Sequence, residues 1–405
     1  MSPTNNIAII GAGLSGLTLA LALHQQSIPC TLYEARAAPL DIGGAVMLSP
    51  NALRILDALG VYSRIEPQGF SFENLHFRSE DNTPLDSYEF GGRERYGYAG
   101  LRIFRNVLIR ELSTMVTAAK IPIKYHRKFT HITEETATSV TWSFADGTTE
   151  TAAVLVGADG IHSRVRKYLY PDLEPTFTNA MGVSAAVPTS QLRLPDGYDL
   201  PVTIMNKTHG AFVIAPQQAD GSEVFIGRQK RAPQLDRAGW DALLNDKEWC
   251  VDYLRENTDA FPQIVQNAVS SINTENINLW PFYVVPKLET WASELTRVVI
   301  LGDAAHAIPP TAGQGINQAF EDVFTFALVV GRCAGGELRR GLKVWQAGRQ
   351  ERVDRVLVLN GQVDKRRLPR LDGEDVEDVP FDLEWLYKPE FGEMVDGWFA
   401  REGLV

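Results

Sequence analysis

The residues best suited to chemistry begin with Gly11-Ala12-Gly13-Leu14-Ser15-Gly16, a glycine spacing that lets a main chain approach phosphate. Gly11 permits a tight turn, Gly13 admits a pyrophosphate, and Gly16 allows a helix to pack closely. Glu34 stands 18 residues past Gly16, where a carboxylate accepts hydrogen bonds from a ribose. A purely structural glycine turn has the same spelling. The apolar run at 7–10, the Leu- and Ala-rich run at 14–23 and the extended 31–33 supply the strand-helix-strand context that favours a dinucleotide. This motif alone does not separate FAD from NAD.

A second constellation does. Gly302-Asp303-Ala304-Ala305-His306-Ala307-Ile308-Pro309-Pro310 follows a β-branched run at 297–301, and Thr311-Ala312-Gly313-Gln314-Gly315-Ile316-Asn317 opens a helical stretch. A carboxylate at a strand end can hold a ribityl hydroxyl, and amides at a helix start can face the electron-rich edge of a flavin. Pro309 and Pro310 stiffen the loop beside such a ring. His306 reads as a packing or hydrogen-bonding residue, because no metal-ligand pattern surrounds it. A third motif, Val156-Gly157-Ala158-Asp159-Gly160-Ile161-His162-Ser163-Arg164-Val165-Arg166, ends another buried-type strand. Asp159 there either faces a cofactor or caps the following turn.

The elements that must hold these motifs are those of an ordinary globular chain of 405 residues, 44% hydrophobic and 22% charged. A formal net charge of −11 argues against nucleic acid and anionic membrane as partners. Cys30, Cys250 and Cys333 are too scattered for a disulfide framework or a metal site, and suit a reducing compartment. The start of the chain lacks a basic region, and no run reaches the ~18 apolar residues of a membrane span, so a cytoplasmic protein without a metal is expected. Ser49-Pro50-Asn51 offers a start for a helix at 52–59 that Gly60 closes. A hairpin is expected at 70–90, a helix at 101–119 and a hairpin at 139–144 followed by Asp146-Gly147. An antiparallel sheet with helical segments at 236–256 and near Phe261 should fill 177–280, and an interrupted helix 315–355. The acidic stretch 372–378 reads as a solvated loop.

The fold expected is α/β, a Rossmann-like FAD-binding domain with an inserted, mostly antiparallel β-sheet substrate domain and C-terminal helices. The FAD-binding domain takes residues 1–70, 100–176 and 281–345, the substrate domain 71–99 and 177–280, and the helical region 346–405.

Together, the motifs around Asp159 and Asp303 resemble the DG and GD motifs of the class A flavoprotein monooxygenases, the p-hydroxybenzoate hydroxylase-like family. The likeness extends from residue 7 to about residue 355. Tyr33-Glu34-Ala35-Arg36, Gly43-Gly44-Ala45 and Arg105 also match positions where members contact FAD. The resemblance implies cofactor contacts at Gly11, Gly13, Leu14, Ser15, Gly16, Glu34, Ala35, Arg36, Gly44, Ala45, Arg105, Asp159, Asp303, Pro310, Gly313, Gly315, Ile316 and Asn317. Glu34 would bind the adenosine ribose, Arg105 and Asp303 the ribityl and pyrophosphate part, and 315–317 the flavin. Asp159 would serve both FAD and NAD(P)H.

The activity implied is single-component hydroxylation of a small aromatic or polycyclic natural product, with NADPH or NADH as transient reductant and O2 as oxidant, through an FAD C4a-hydroperoxide. The flavin carries that reaction, so no Ser-His-Asp, paired-carboxylate or metal constellation is needed, and no catalytic base is assigned. Epoxidation, Baeyer-Villiger insertion, N-hydroxylation and a dehydrogenase or oxidase reaction use the same cradle, and a non-enzymatic flavin module is the bland alternative. Salicylate-hydroxylase-like members carry an aromatic-Arg pair where this chain has Val183-Ser184, which leans the resemblance toward the tetracycline-modifying branch. Phe212, Arg228, Trp280, Phe282 and Pro309 lie on segments that would carry a substrate pocket, although Phe212, Arg228, Trp280 and Phe282 are more often core than contact at such positions. A monomer or homodimer is expected.

Overall fold

A computed structural model describes residues 6–39, 44–333, 337–367 and 383–404, with the side chains of 364–367 left aside. Gly43 and the acidic stretch 372–378 lie outside the described residues.

Five short apolar runs form one parallel sheet: β1 (Ile7–Ile10), β2 (Cys30–Tyr33), β8 (Ile123–Lys124), β12 (Val154–Gly157) and β18 (Val298–Ile300), in the order β18-β12-β1-β2-β8. Every residue of β1, β2 and β12 is buried, as befits strands covered on both faces. Register aligns Ile10 with Gly157 and Gly157 with Ile300. The three chemistry-bearing motifs therefore leave the carboxyl ends of three adjacent strands, the edge where open α/β sheets bind ligands. The helices Leu14–Gln25 and Gly315–Arg332 share the core cluster with this sheet.

A second, seven-stranded sheet has the order β17-β13-β16-β15-β14-β5-β6. It comprises β5 (Asn74–Ser79), β6 (Pro84–Glu89), β13 (Thr176–Pro188), β14 (Val202–Asn206), β15 (Gly210–Pro216), β16 (Glu223–Arg231) and β17 (Asn278–Val284). All its pairs are antiparallel except β14 with β5. Helices Arg237–Asn245, Lys247–Arg255 and Gln263–Ala268 bury one face of it in a separate core. Two smaller antiparallel sheets complete the strands. One joins β3 (Ala45–Leu48), β7 (Gly100–Phe104) and β4 (Phe70–Phe72); the other joins β9 (Phe129–Glu135), β10 (Val140–Phe144) and β11 (Thr149–Ala152).

Several elements depart from the sequence expectation. The helix expected at 101–119 begins only at Arg105, because Gly100–Phe104 is strand β7, paired on both sides with β3 and β4. The helical stretch 236–256 breaks at Asp246, whose carboxylate accepts the Trp249 amide at 2.9 Å and starts a new helix. Strand β17 crosses the expected 280/281 boundary, and β4 the 70/71 boundary. Helix Pro50–Ala58 starts at its proline, and Gly60 and Val61 close it by donating to Asp57 and Leu56, the hydrogen-bond pattern of a glycine-terminated helix. At the other end of the chain, helix Leu338–Arg367 packs against Gly315–Arg332.

Candidate functional site

The glycine turn has the shape its sequence demands. Gly11 sits at φ +105°, and a Cβ on Gly16 would lie 1.9 Å from the Gly11 carbonyl oxygen, so the helix can approach only as glycine. Glu34, buried at the end of β2, accepts the Ala12 amide and the Arg36 amide, both at 2.9 Å. It thereby locks the turn to β2, while Arg36 and Ala35 stay exposed beside it. Ser15 packs against the second motif: a Cβ on Gly302 would lie 3.2 Å from its Oγ. Leu14 is buried and anchors the helix start in the core.

Asp159 divides its carboxylate. One oxygen accepts the amides of Arg164 (2.8 Å) and Val165 (3.2 Å), holding the turn that follows; the other is buried and has no hydrogen-bond partner among the described residues. Both readings of this residue from sequence thus survive, the capping one in hydrogen bonds and the cofactor one in an oxygen left free. Burial raises the Asp159 carboxyl, partly offset by Ser163 and the turn amides. Asp303 is exposed at the start of its helix, where surrounding protein raises its carboxyl and His306 and Arg105 lower it. Arg105 is exposed at the first turn of its helix, and its amide donates to the Gly44 carbonyl at 3.2 Å, tying β7 to the chain entering β3.

Helix Gly315–Arg332 presents the amides of Gly315, Ile316 and Asn317 at its first turn, where an α-helix leaves its N–H groups without intrahelical acceptors. Gly315 and Ile316 are half-buried. The Asn317 side chain is not available to a ligand. It accepts the Ser49 amide and donates to the Met47 and Gly313 carbonyls, so it staples β3 to the helix start.

Below that turn runs a buried polar chain that sequence reading missed. Gln314 donates to Ser49 Oγ, Ser49 to Asn51, and Asn51 to Glu321. Glu321 then pairs with Arg349 and Arg352, and Asp322 accepts from Arg349 (2.8 Å), the Gly302 amide (2.8 Å) and His306 (2.5 Å). His306 is therefore the structural residue expected, and no group of His, Cys, Asp and Glu among the described residues is arranged to hold a metal. Only the adjacent acids Glu321 and Asp322 and the i, i+3 pair Arg349 and Arg352, on two consecutive helices, could have hinted at this cluster.

Between the cradle and the seven-stranded sheet lies a cavity of about 100 Å³. Pro310, Gly313 and Met47 bound it on one side, and Leu75, Phe77 and Val213 on the other. Phe212 and Arg228, expected near substrate, are corrected by strand parity. Phe212 precedes Val213 on β15 and points into the helix-covered core, while Arg228, opposite Phe212 on β16, donates to the carbonyls of Tyr253, Glu256 and His209. Phe282 also leaves the cavity and packs with Trp280 over Gly182. Pro309 lines a second cavity of about 330 Å³ with His306 and Val353.

Arg102 is the residue missed here. It lines the first cavity, is 6% exposed, and its guanidinium lies 5.1 Å from the Phe225 ring centroid. Burial alone pushes its pKa down to about 10. Its sequence signal, a charge between Leu101 and Ile103, was hidden by reading the segment as helix.

An FAD fits this arrangement on its own terms. A Cβ placed on Gly13, Gly44 or Gly315 would meet nothing within 4 Å, so open main chain borders the cleft at the phosphate turn, the β3 entry and the helix start. The orphaned Asp159 oxygen and the unpaired helix amides supply polar partners beside it. A family model described as FAD binding domain matches residues 4–357. The chain belongs to this family, among the class A FAD-dependent monooxygenases. It is 31% identical over 340 residues to 3-amino-4-hydroxybenzoate 2-monooxygenase PtnB3 of Streptomyces platensis, covering 82% of each chain. Among solved structures, it resembles CtdE in complex with FAD and a substrate at a TM-score of 0.81 and 18% identity, over 98% of both chains. A salicylate hydroxylase substrate complex gives a TM-score of 0.80 at 22% identity, over 97% of both. These two likenesses speak for the fold. No helix among the described residues is long and apolar enough to cross a membrane.

Proposed function

We propose that the protein hydroxylates a single-ring aromatic compound, using NAD(P)H and O2. The observation that carries this reading is the cavity of about 100 Å³ set directly against Gly313 and Pro310. That volume is nearer to the ~150 Å³ apolar cavity that admits benzene than to the space a fused ring system fills, which favours one ring over the polycyclic substrate also expected from sequence. FAD, when bound and reduced by NAD(P)H, supplies the two-electron activation of O2 that puts one oxygen atom on the substrate and the other into water.

The chain's own contribution is positional. Pro310 and Gly313 set the cradle side of the cavity, and the β5, β14 and β15 side chains hold a flat ring opposite it. Apolar walls from Leu75, Phe77, Val213 and Ala215 exclude water from the reacting carbon. Among the described lining residues there is no Asp, Glu, His or Lys, which supports a site that places its substrate and leaves the oxygen chemistry to the cofactor. The hydroxylation of substituted benzoates named for relatives agrees with this reading. Three cysteines without a disulfide fit a cytoplasmic location, which is part of the proposal.

The test is NAD(P)H consumption by the FAD-loaded protein over a panel of phenols, benzoates and polycyclic aromatics, with products identified by mass and NMR. A gain of one oxygen on a single ring is expected. Oxidation of substrate without oxygen gain, or turnover confined to polycyclic compounds, would overturn it.

A further inference from the structure

Arg102 is a buried cation with no counter-ion among the described residues. Its strand β7 sets it opposite Met47 of β3 and Phe70 of β4, on the face turned away from the core that takes Leu101 and Ile103. Met47 and Arg102 both line the first cavity, and Arg102 is the one charged side chain among its described lining residues. Among the described residues no acid pairs with it, and its Nε has no hydrogen-bond partner there. What it does have is an aromatic floor. The Phe225 ring lies beneath the guanidinium because Gly227 makes room for it: a Cβ on Gly227 would come within 2.5 Å of that ring.

A cation–π contact compensates only part of the loss of water around a buried guanidinium, so the site lacks an anion. The planar fork of Arg matches a carboxylate, taking two oxygens in one plane with an aromatic ring attached to it. The position on β13 where a salicylate-like chain would carry an arginine holds Ser184, in register with Gly227 on β16. A cation is thus present at the cavity, but on a different strand.

We propose that Arg102 is the specificity-determining residue of this site, binding the carboxylate of an aromatic acid whose ring occupies the cavity. The inference rests on the function proposed above and names its substrate class. Burial leaves Arg102 titrating well above neutrality, so the cation persists through the working range.

The experiment titrates the FAD-loaded protein with benzoate and with its neutral counterpart benzamide, following the flavin absorbance. Benzoate should bind roughly tenfold or more tightly than benzamide, the scale of one hydrogen-bonded charge pair. Arg102→Gln should erase that ratio with FAD content unchanged, and Arg102→Lys should restore part of it. Arg102→Met, close in volume, guards against a folding defect in the first variant. Equal binding of the two probes by the unaltered protein, binding of neither, or a benzoate preference that survives in Arg102→Gln would overturn the assignment. So would loss of FAD in all three variants, which would give Arg102 to the cofactor. Hydroxylation of neutral phenols as fast as of benzoates would defeat the inference and leave the function standing. An Arg102-dependent benzoate preference in a protein that hydroxylates no aromatic would do the reverse.

Discussion

Between Gly16 and the Gly11 carbonyl there is no space for a methyl group. Gly16→Ala must therefore push the helix Leu14–Gln25 away from β1 and spoil the turn that faces the pyrophosphate. The protein should then purify with little FAD, read from its flavin absorbance per chain, while Gly13→Ala, whose Cβ meets open space, should bind FAD in a folded protein and lose affinity through contact with the ligand alone. Retention of full flavin by Gly16→Ala would contradict this account of the turn. At this scale the sequence spoke clearly for Gly11, Gly16 and Glu34, because each has one stereochemical reason to be what it is. It was silent for Arg102 and left Phe212 between pocket and core. Period-2 alternation says that Phe212 and Val213 face opposite ways, but which face meets the cavity depends on helices that cover the other.

Among elements, the helix Gly315–Arg332 does two jobs at once. Its first turn opens the cradle, and its second carries Glu321 and Asp322 into the buried arginines of Leu338–Arg367. Burial would raise both carboxyls, yet Arg352 and Arg349 hold Glu321 below the usual carboxylate range, and His306 and Arg349 do so for Asp322. A group whose folded pKa is depressed stabilises the protein above its unfolded pKa and stops doing so as pH falls through the folded value. The cluster should thus contribute fully above about pH 4.5 and weaken progressively below about pH 4, the range of free Asp and Glu. Arg349→Met leaves two buried carboxylates short of a partner and should cost roughly 3–5 kcal/mol by chemical denaturation. The deficit should shrink in acid; a deficit independent of pH would place the loss in packing instead. Secondary structure was readable wherever one period dominated, as in β1, β12 and the Gly315 helix. It failed at Gly100–Phe104, where a five-residue strand runs without a break into a helix and no glycine or proline marks the join.

For the whole molecule, the cradle draws on β1, β3, β12, β18 and the Gly315 helix, so ligand binding ties together segments spread along the sequence. Added FAD should raise the melting temperature in a concentration-dependent way, by about 2.7 kcal/mol of stability at a hundredfold excess over Kd. A melting temperature indifferent to FAD would deny that the described cleft is its site. The same dispersal has a consequence for biosynthesis. Strand β5 pairs in parallel with β14, which starts at Val202, and β6 guards only the far side of that hairpin with Pro84, Asp86 and Glu89. On a ribosome adding ~5–20 residues per second, the inner edge of β5 waits roughly ten seconds for its partner. During that interval the nascent chain displays an open row of amides and carbonyls along β5.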